Sequence, residues 1–480
     1  MQKKQSIHIN AILNVIKQCC VIIFPLITYS YISRVLGSGN LGRYSFSDSM
    51  IQYFIAIASL GVPTYAIREA ARMRSDKKKI QKLVNEIFSI NVVMTIIALI
   101  ILFLLEKFIP RLNREAVLIS ILSMEVVSGT IGRDWINNVY EDFFYLTLRY
   151  ILIQVVSLIL IFLFIKSSDD YIKYTWIMAF SYSFNYILNI FYTGKRIPYG
   201  FTFHLNLKTH LKPIIYLFCI QIANIIFVKS DILILGFFRP DSEVGIYTIA
   251  SNIYVALKTL LNAVIIVAIP RLSVYLGKND RESYMKLLNG LRNILYTSVI
   301  PCVIGVFFLS QDIMFILGGK NFIVGAQSLQ ILCIAIFCSV FGSFYNQAIL
   351  VPNRDERHYF YATIISAMIN IVLNLILIPR WGINAAAFTT VLAEGAMVVF
   401  CKKYSYVYTD SFKKIRAIPI VVGCFCIAII CMLCQKYVHL FFTRVIFSIL
   451  FSIIAYAIVL LIGKNEVALN GLEMIQKKLK

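Results

Sequence analysis

Residues 24–50 read FPLITYSYISRVLGSGNLGRYSFSDSM. An apolar helix from Phe24 runs into a tight turn marked by Gly37, Gly39 and Gly42, and a second helix leaves toward Met50. Glycine supplies the backbone freedom that such a turn needs. Arg34 and Arg43 flank the turn, and Asp48 lies just inside the second helix. A fainter copy follows about two hundred residues later. Leu36-Gly37 and Leu41-Gly42-Arg43-Tyr44 are echoed by Leu235-Gly236 and Val244-Gly245-Ile246-Tyr247. Self-similarity of this kind predicts two related halves, each opened by the same hairpin.

The surroundings of the hairpin are those of a membrane protein. Hydrophobic residues make up 59% of the 480, charged residues only 15%, and mean hydropathy is +0.78. Soluble domains carry about 25% charged residues. The stretches Ile87–Leu105, Asn293–Gln311, Asn321–Asn353, Tyr359–Pro379, Ala417–Gln435 and Val445–Gly463 contain no charged residue. About 20 such residues cross a bilayer. Backbone amides in hydrocarbon must be satisfied internally, so long apolar runs without period-two alternation predict helices rather than a barrel.

Apolar runs bounded by charges and turn residues place helices near 10–32, 45–67, 83–105, 115–135, 146–165, 174–193, 213–237, 244–269, 292–310, 325–350, 359–378, 384–401, 417–434 and 445–462. The expected fold is an all-α integral membrane protein with about fourteen transmembrane helices. Glu125, Arg133 and Asp134 interrupt the fourth. Lys and Arg concentrate on one side if both termini are cytoplasmic, with seven basic residues in Arg68–Lys82 alone. The +22 net charge therefore belongs to loops between apolar runs, which argues against a nucleic-acid partner. No cleavable signal peptide is evident, because the first apolar run continues into the hairpin.

Most of the eleven cysteines lie in apolar segments and the five histidines are scattered, so no metal or disulfide framework is expected. No phosphate-cradling Gly-x-x-x-x-Gly-Lys-Ser/Thr sequence occurs. The loops are too short for a nucleotide-binding or extracellular domain. No cofactor is expected.

The repeat extends past the hairpin. Asn137-Asn138 before EDFFYLTLRYILIQVVSLIL resembles Asn346-Gln347 before RDERHYFYATIISAMINIVLNLIL. An even number of helices separates the copies, which implies parallel repeats about an axis along the membrane normal.

Ionisable residues inside a membrane are functional candidates by default, since each costs about 2.5–3.5 kcal/mol at the bilayer centre on insertion scales. Lys17 shares a stripe with Asn10, Asn14 and Thr28, and Lys258 one with Thr248, Ser251 and Asn262. Asp231 continues the stripe of Gln221 and Asn224, while Lys229 points elsewhere. Thr363, Ser366, Asn370 and Asn374 line one face of the eleventh helix. Ser181, Asn185 and Asn189 line a face of the sixth. Glu125 and Glu394 sit near the middles of the fourth and twelfth. Such stripes predict either interhelical hydrogen bonds or a water-accessible cavity. Lys17, Arg34, Lys229 and Lys258 would make that cavity cationic and suited to a phosphate-bearing anion. Asn14, Gln221, Asn224, Asn370 and Asn374 would form its polar lining.

The stretch FPLITYSYISRVLGSGNLGRYSFSDSMIQYFIAIASLGVPTYAIREAA resembles the amino-terminal signature of bacterial polysaccharide repeat-unit flippases. These are the Wzx-type O-antigen and capsule transporters of the superfamily that includes the multidrug exporters. VKSDILILGFF…VGIYTIASNI and Ile269–Ser273 resemble the opening of that family's second lobe. The resemblance implies two pseudo-symmetric six-helix lobes around a central cavity, 1–210 and 211–403, followed by 404–480 with two additional helices and a cytoplasmic tail. It implies a flippase rather than an enzyme, in the bacterial cytoplasmic membrane. The implied partner is an undecaprenyl-pyrophosphate-linked oligosaccharide, moved by alternating access, with polysaccharide polymerase machinery as a further partner. Coupling to a proton or sodium gradient would fall to Asp48, Glu125, Asp231 and Glu394.

Three other readings share parts of this pattern. A peptidoglycan-precursor (lipid II) flippase carries a chemically similar load. A drug antiporter would want acidic groups early in the first lobe, and none occurs between Met1 and Arg43. A membrane glycosyl-polymerase or ligase would need a sizeable outer loop or a carboxylate-rich surface site, and neither is visible.

Overall fold

A computed structural model describes residues 7–73, 76–195, 197–198, 200–203, 207–409, 412 and 415–479. The side chains of 7–12, 14, 15, 207–209, 474, 475 and 477–479 lie outside the described set. The described residues form helices and no strand. By contact they divide into two compact units, Met1–Gly245 and Ile246–Lys480.

In the first unit the opening hairpin is a single bent helix, α1 (Ile7–Ser59). The turn expected over three glycines is narrower than the sequence suggests. Only Gly37 leaves helical geometry (φ 73°, ψ 172°), and Gly39 and Gly42 stay within the helix. One residue in the left-handed region reverses the chain, and glycine adopts it without a Cβ clash.

The second expected helix ends early, at Ser59, because Leu60 and Gly61 both take positive φ and turn the chain into α2 (Val62–Arg72). Gly61 lies against the backbone of Leu217 and Phe218, where a side chain would not fit. α3 (Lys77–Phe108) is capped by Asp76, whose carboxylate accepts from the amides of Lys78 and Lys79 at 3.1 Å. These bonds hold the Asp76 carboxyl below the usual range.

A short α4 (Pro110–Arg114) leads to α5 (Ala116–Gly132). Arg133 then takes left-handed geometry (φ 48°, ψ 49°), and the chain restarts as α6 (Asp134–Val139). The interruption expected from charge in the fourth helix is thus a real break. α7 (Phe143–Phe164), α8 (Tyr171–Gly194) and α9 (Leu207–Phe238) complete the unit, together with the first turn of α10 (Asp241–Gly277). The core at one end joins Tyr65, Ile80, Val84, Trp135, Ile136 and Ile214. There Tyr65 Oη lies 2.7 Å from His210 Nδ1, and His210 Nε2 lies 2.7 Å from Glu86 Oε2. This chain of buried side chains ties α9 to α2 and α3. The contact boundary therefore falls after α9, whereas the expected lobe boundary lies at 210.

In the second unit α10 continues, followed by α11 (Arg281–Gly318) and α12 (Ala326–Ser343). α12 passes into a π-helical segment, Phe344–Leu350, at Asn346-Gln347. The two halves are thus distorted at corresponding places, by a break before Asn137-Asn138 and by π geometry around Asn346-Gln347. Such bulges often mark functional sites. α13 (Glu356–Ser405) bends at Gly382 (φ 58°, ψ −135°), three residues after Pro379, much as α1 bends at Gly37. α14 (Ala417–Tyr437) and α15 (Phe441–Ile462) pack on α11, with Tyr456 donating to the Thr297 carbonyl at 2.9 Å and Arg444 paired with Asp312 at 3.3 Å. The tail after the last expected span forms α16 (Glu466–Leu479).

Among the described residues eleven helical segments are long and apolar enough to cross a membrane. Two of them, 16–72 and 356–408, bend at Gly37 and Gly382 and are long enough to cross twice.

Candidate functional site

Four of the candidate intramembrane charges form two pairs. In the first unit Lys229 of α9 lies 3.1 Å from Asp48 of α1. Glu125 of α5 is buried within electrostatic reach of both. In the second unit Lys258 of α10 sits 2.7 Å from Glu394 of α13, and Tyr254 donates to the same carboxylate oxygen at 2.5 Å. Sequence reasoning separates these residues into a cationic set and an ion-coupling set, yet the structure joins one member of each set twice. The physical reason is the cost of a lone charge in a low dielectric, which a close partner offsets. The excess of positive charge expected at Lys229 and Lys258 is accordingly absent from both pairs.

The other expected residues are placed as follows. Arg34 is exposed and donates to the Ser30 carbonyl at 2.7 Å. Asp231 is buried, and Asn224 is exposed. Asn374 donates to Asn370 at 3.1 Å and accepts from Thr389, across the bend of α13, at 2.5 Å, so this part of the stripe makes hydrogen bonds between protein side chains. The Asn14 side chain lies outside the described residues. Among the described residues no cluster of three or more His, Cys, Asp or Glu could hold a metal ion.

Two features of the first unit were not singled out from sequence. One is a buried ion network. The Glu115 carboxylate, fully buried, accepts from Arg43 Nε at 2.8 and 3.1 Å, from Arg111 at 3.1 Å and from Arg114 at 3.3 Å. Arg111 and Arg114 also pair with Asp241 in the first turn of α10, and Arg111 donates to the Gly236 carbonyl at 2.7 Å. At the same place Gly42 and Gly245 meet closely, and the Phe46 ring covers Gly236.

The other feature is a cavity of about 260 Å³ at the break between α5 and α6. Asn189 of α8 donates to the Gly132 carbonyl at 2.5 Å and accepts from Asn137 at 2.6 Å, which holds the break open. Arg149 of α7, with a side chain only 3% exposed, donates to both oxygens of Asp134 at 2.8 Å. Asp134 thereby faces the cavity with Arg133, Asn91, Tyr182, Tyr186 and Gln221. Gln221, expected as polar lining, is there and donates to Ser59 at 3.1 Å. Lys17 is half-buried within electrostatic reach of Asp134 and Arg149. The available signal was the Gly-Arg-Asp sequence at 132–134, which reads as an interrupted helix before it reads as a site.

Comparison with known proteins identifies a family and a shared fold. Residues 8–276 match the family described as polysaccharide biosynthesis protein. A protein of Escherichia coli (strain K12) named "Putative O-antigen transporter" is 26% identical over 281 residues, covering 58% of this chain and 67% of that protein. A Haloferax volcanii protein named "Probable low-salt glycan biosynthesis flippase Agl15" is 28% identical over 187 residues, covering 38% and 39% of the two chains. In structure the chain is similar to the lipid II flippase MurJ in an inward closed conformation. The TM-score is 0.79 at 16% identity, over 96% of this chain and 99% of that one. An inward-facing multidrug transporter of the MATE family superposes with a TM-score of 0.60 at 11% identity, over 82% of this chain and 99% of that one. At these identities the likeness is one of fold.

Proposed function

The chain belongs to the polysaccharide biosynthesis protein family, and from that membership we propose that it flips undecaprenyl-pyrophosphate-linked oligosaccharide repeat units across the cytoplasmic membrane for O-antigen or capsule assembly. The match over residues 8–276 carries this reading. The named relatives support it, and so does a fold shared with a flippase of another lipid-linked sugar.

Alternating access of the two lobes would carry the headgroup while the lipid tail remains in the bilayer. Energy would come from a proton or sodium gradient, since no nucleotide-binding motif occurs. The carboxylates that sit beside a lysine, Asp48 and Glu394, are the first candidates for coupling. In such pairs an incoming cation would compete with the ammonium group for the same oxygen. Glu125 and Asp231, both buried, are the next candidates. Lys17, Arg34, Lys229 and Lys258 would meet the pyrophosphate, the last two in those states in which Asp48 and Glu394 are neutralised.

Deletion of the gene in its host should abolish surface polysaccharide, and the wild-type gene should restore it. If deletion spares the polysaccharide and instead blocks peptidoglycan synthesis, the lipid II reading favoured by the MurJ-like fold replaces this one. Sensitivity to cationic drugs alone would favour an antiporter.

A further inference from the structure

We propose that the cavity at the α5–α6 break is a subsite for one sugar ring of the transported glycan; the inference rests on the function proposed above. A pyranose is a disc with apolar C–H faces and a rim of hydroxyls. The cavity offers both complements. Tyr182, Tyr186 and Trp135 supply aromatic surface, while Asp134, Asn91 and Gln221 supply acceptors and donors. Its 260 Å³ is near the lower end of small-molecule pockets, fitting a single ring rather than a whole repeat unit with its lipid.

The site is built rather than incidental. Asp134 is held on both oxygens by Arg149, so the carboxylate is fixed in place as an acceptor. Tyr186 packs on Gly132, where any side chain would strike its ring, and it donates to Tyr182 at 3.4 Å. Asn91 is buried on the cavity wall, and its Oδ1 has no hydrogen-bond partner. A buried acceptor without a donor is costly, and a hydroxyl of the ligand would satisfy it. Arg133, in left-handed geometry at the break, adds a cation that would also suit an acidic sugar. Backbone strain of this kind gathers at ligand sites.

Gly129 provides the test, because it lines the cavity and a Cβ built on it meets nothing within 4 Å. A Gly129→Met side chain can therefore enter the cavity without disturbing the helix. Gly305 of α11, also in open space but remote in sequence from this cavity, gives the control Gly305→Met. The full chain carries three tryptophans, of which Trp176 and Trp381 are exposed and Trp135 lines the cavity. With Trp176→Phe and Trp381→Phe in the purified protein, Trp135 emission reports the site. The probes are glucose, galactose, N-acetylglucosamine and glucuronic acid, with inorganic pyrophosphate as a separate arm.

At least one saccharide should give a saturable change that Gly129→Met abolishes and Gly305→Met retains. No response to any saccharide, a response to pyrophosphate alone, or a response that survives Gly129→Met overturns the inference. If Gly129→Met does not accumulate, Asn91→Ala and Gln221→Ala take its place. Each should weaken the saccharide response by about tenfold, the scale of one or two hydrogen bonds, and unchanged affinity in both overturns the inference. Complementation of surface polysaccharide by the wild-type gene is scored separately. Failure there removes the proposed function, whereas failure of the titration removes only the subsite.

Discussion

Gly42 and Gly245, which occupy equivalent places in the two copies of the hairpin sequence, lie against each other in the first unit. A Cβ on Gly42 would run into the Asp241 carbonyl, and one on Gly245 into the Ser38 carbonyl. The clash is with backbone, which cannot swing aside as a side chain can. Gly42→Ala and Gly245→Ala should each lower thermal stability in detergent by about 1–3 kcal/mol, the usual cost of overpacking. Because the two methyl groups would push apart the same pair of segments, the double variant should cost less than the sum. Unchanged melting in both single variants would show that the crossing has slack.

The Lys258–Glu394 pair, with Tyr254 on the same oxygen, predicts asymmetric losses. Lys258→Met strands the buried Glu394 carboxylate and should cost about 3–5 kcal/mol, while Lys258→Met with Glu394→Gln should recover most of that. Membrane accumulation and melting temperature measure the stability. If the double variant is stable but exports no polysaccharide, the pair serves transport as well as folding.

Lys229 contacts Asp48 directly at 3.1 Å, and the buried Glu125 lies nearby. Asp48→Asn takes the contacting charge from the lysine and Lys229→Met takes it from the carboxylate, so each should lower the melting temperature. The double variant should cost less than the sum of the two. Losses that simply add would show that the two side chains are not coupled.

At the turn before α8, Asp170 accepts from Lys173 at 2.7 Å, from the amides of Lys166 and Ser167 at 2.9 Å and from the Ser167 hydroxyl at 3.1 Å. These donors, the Lys173 ammonium first, hold its carboxyl well below the ordinary value. A depressed folded-state value contributes stability above the unfolded value, near pH 3.9, and the contribution fades as pH falls from there toward the folded value. Asp170→Asn should thus melt below wild type by a constant margin from pH 8 to pH 5, with the margin shrinking only below about pH 4. A margin that shrinks already at pH 6 would point to a different titrating group.

Much of the fold was legible because hydrocarbon imposes a simple rule, and helix number and type follow from it. Gly37 was readable as the turn, but its neighbours were not separable from it. Gly42 is conserved in role between the copies because of a backbone contact that only three dimensions display. The candidate charges were found by the cost of burying them, which is a local property. Their pairing, Lys229 with Asp48 and Lys258 with Glu394, joins residues far apart in sequence and could not be read from spacing. Gln221 was found by its polar stripe. Asn91, Tyr182 and Tyr186 were passed over because polar and aromatic residues on membrane helices are common, and only the helix break at Arg133 turns them toward one cavity.

The placement of α9 and the first turn of α10 within the first unit has a consequence for dissecting the protein. A cut at 245 would sever α10 within a continuous helix, so it offers no clean joint. A cut in the connection between α8 and α9 spares every helix, but it leaves the amino-terminal fragment without the helix that closes its core through His210 and Ile214. Two such fragments made in one cell would each be incomplete alone. Their assembly would be obligate, with α9 acting as the inserted piece that completes its neighbour.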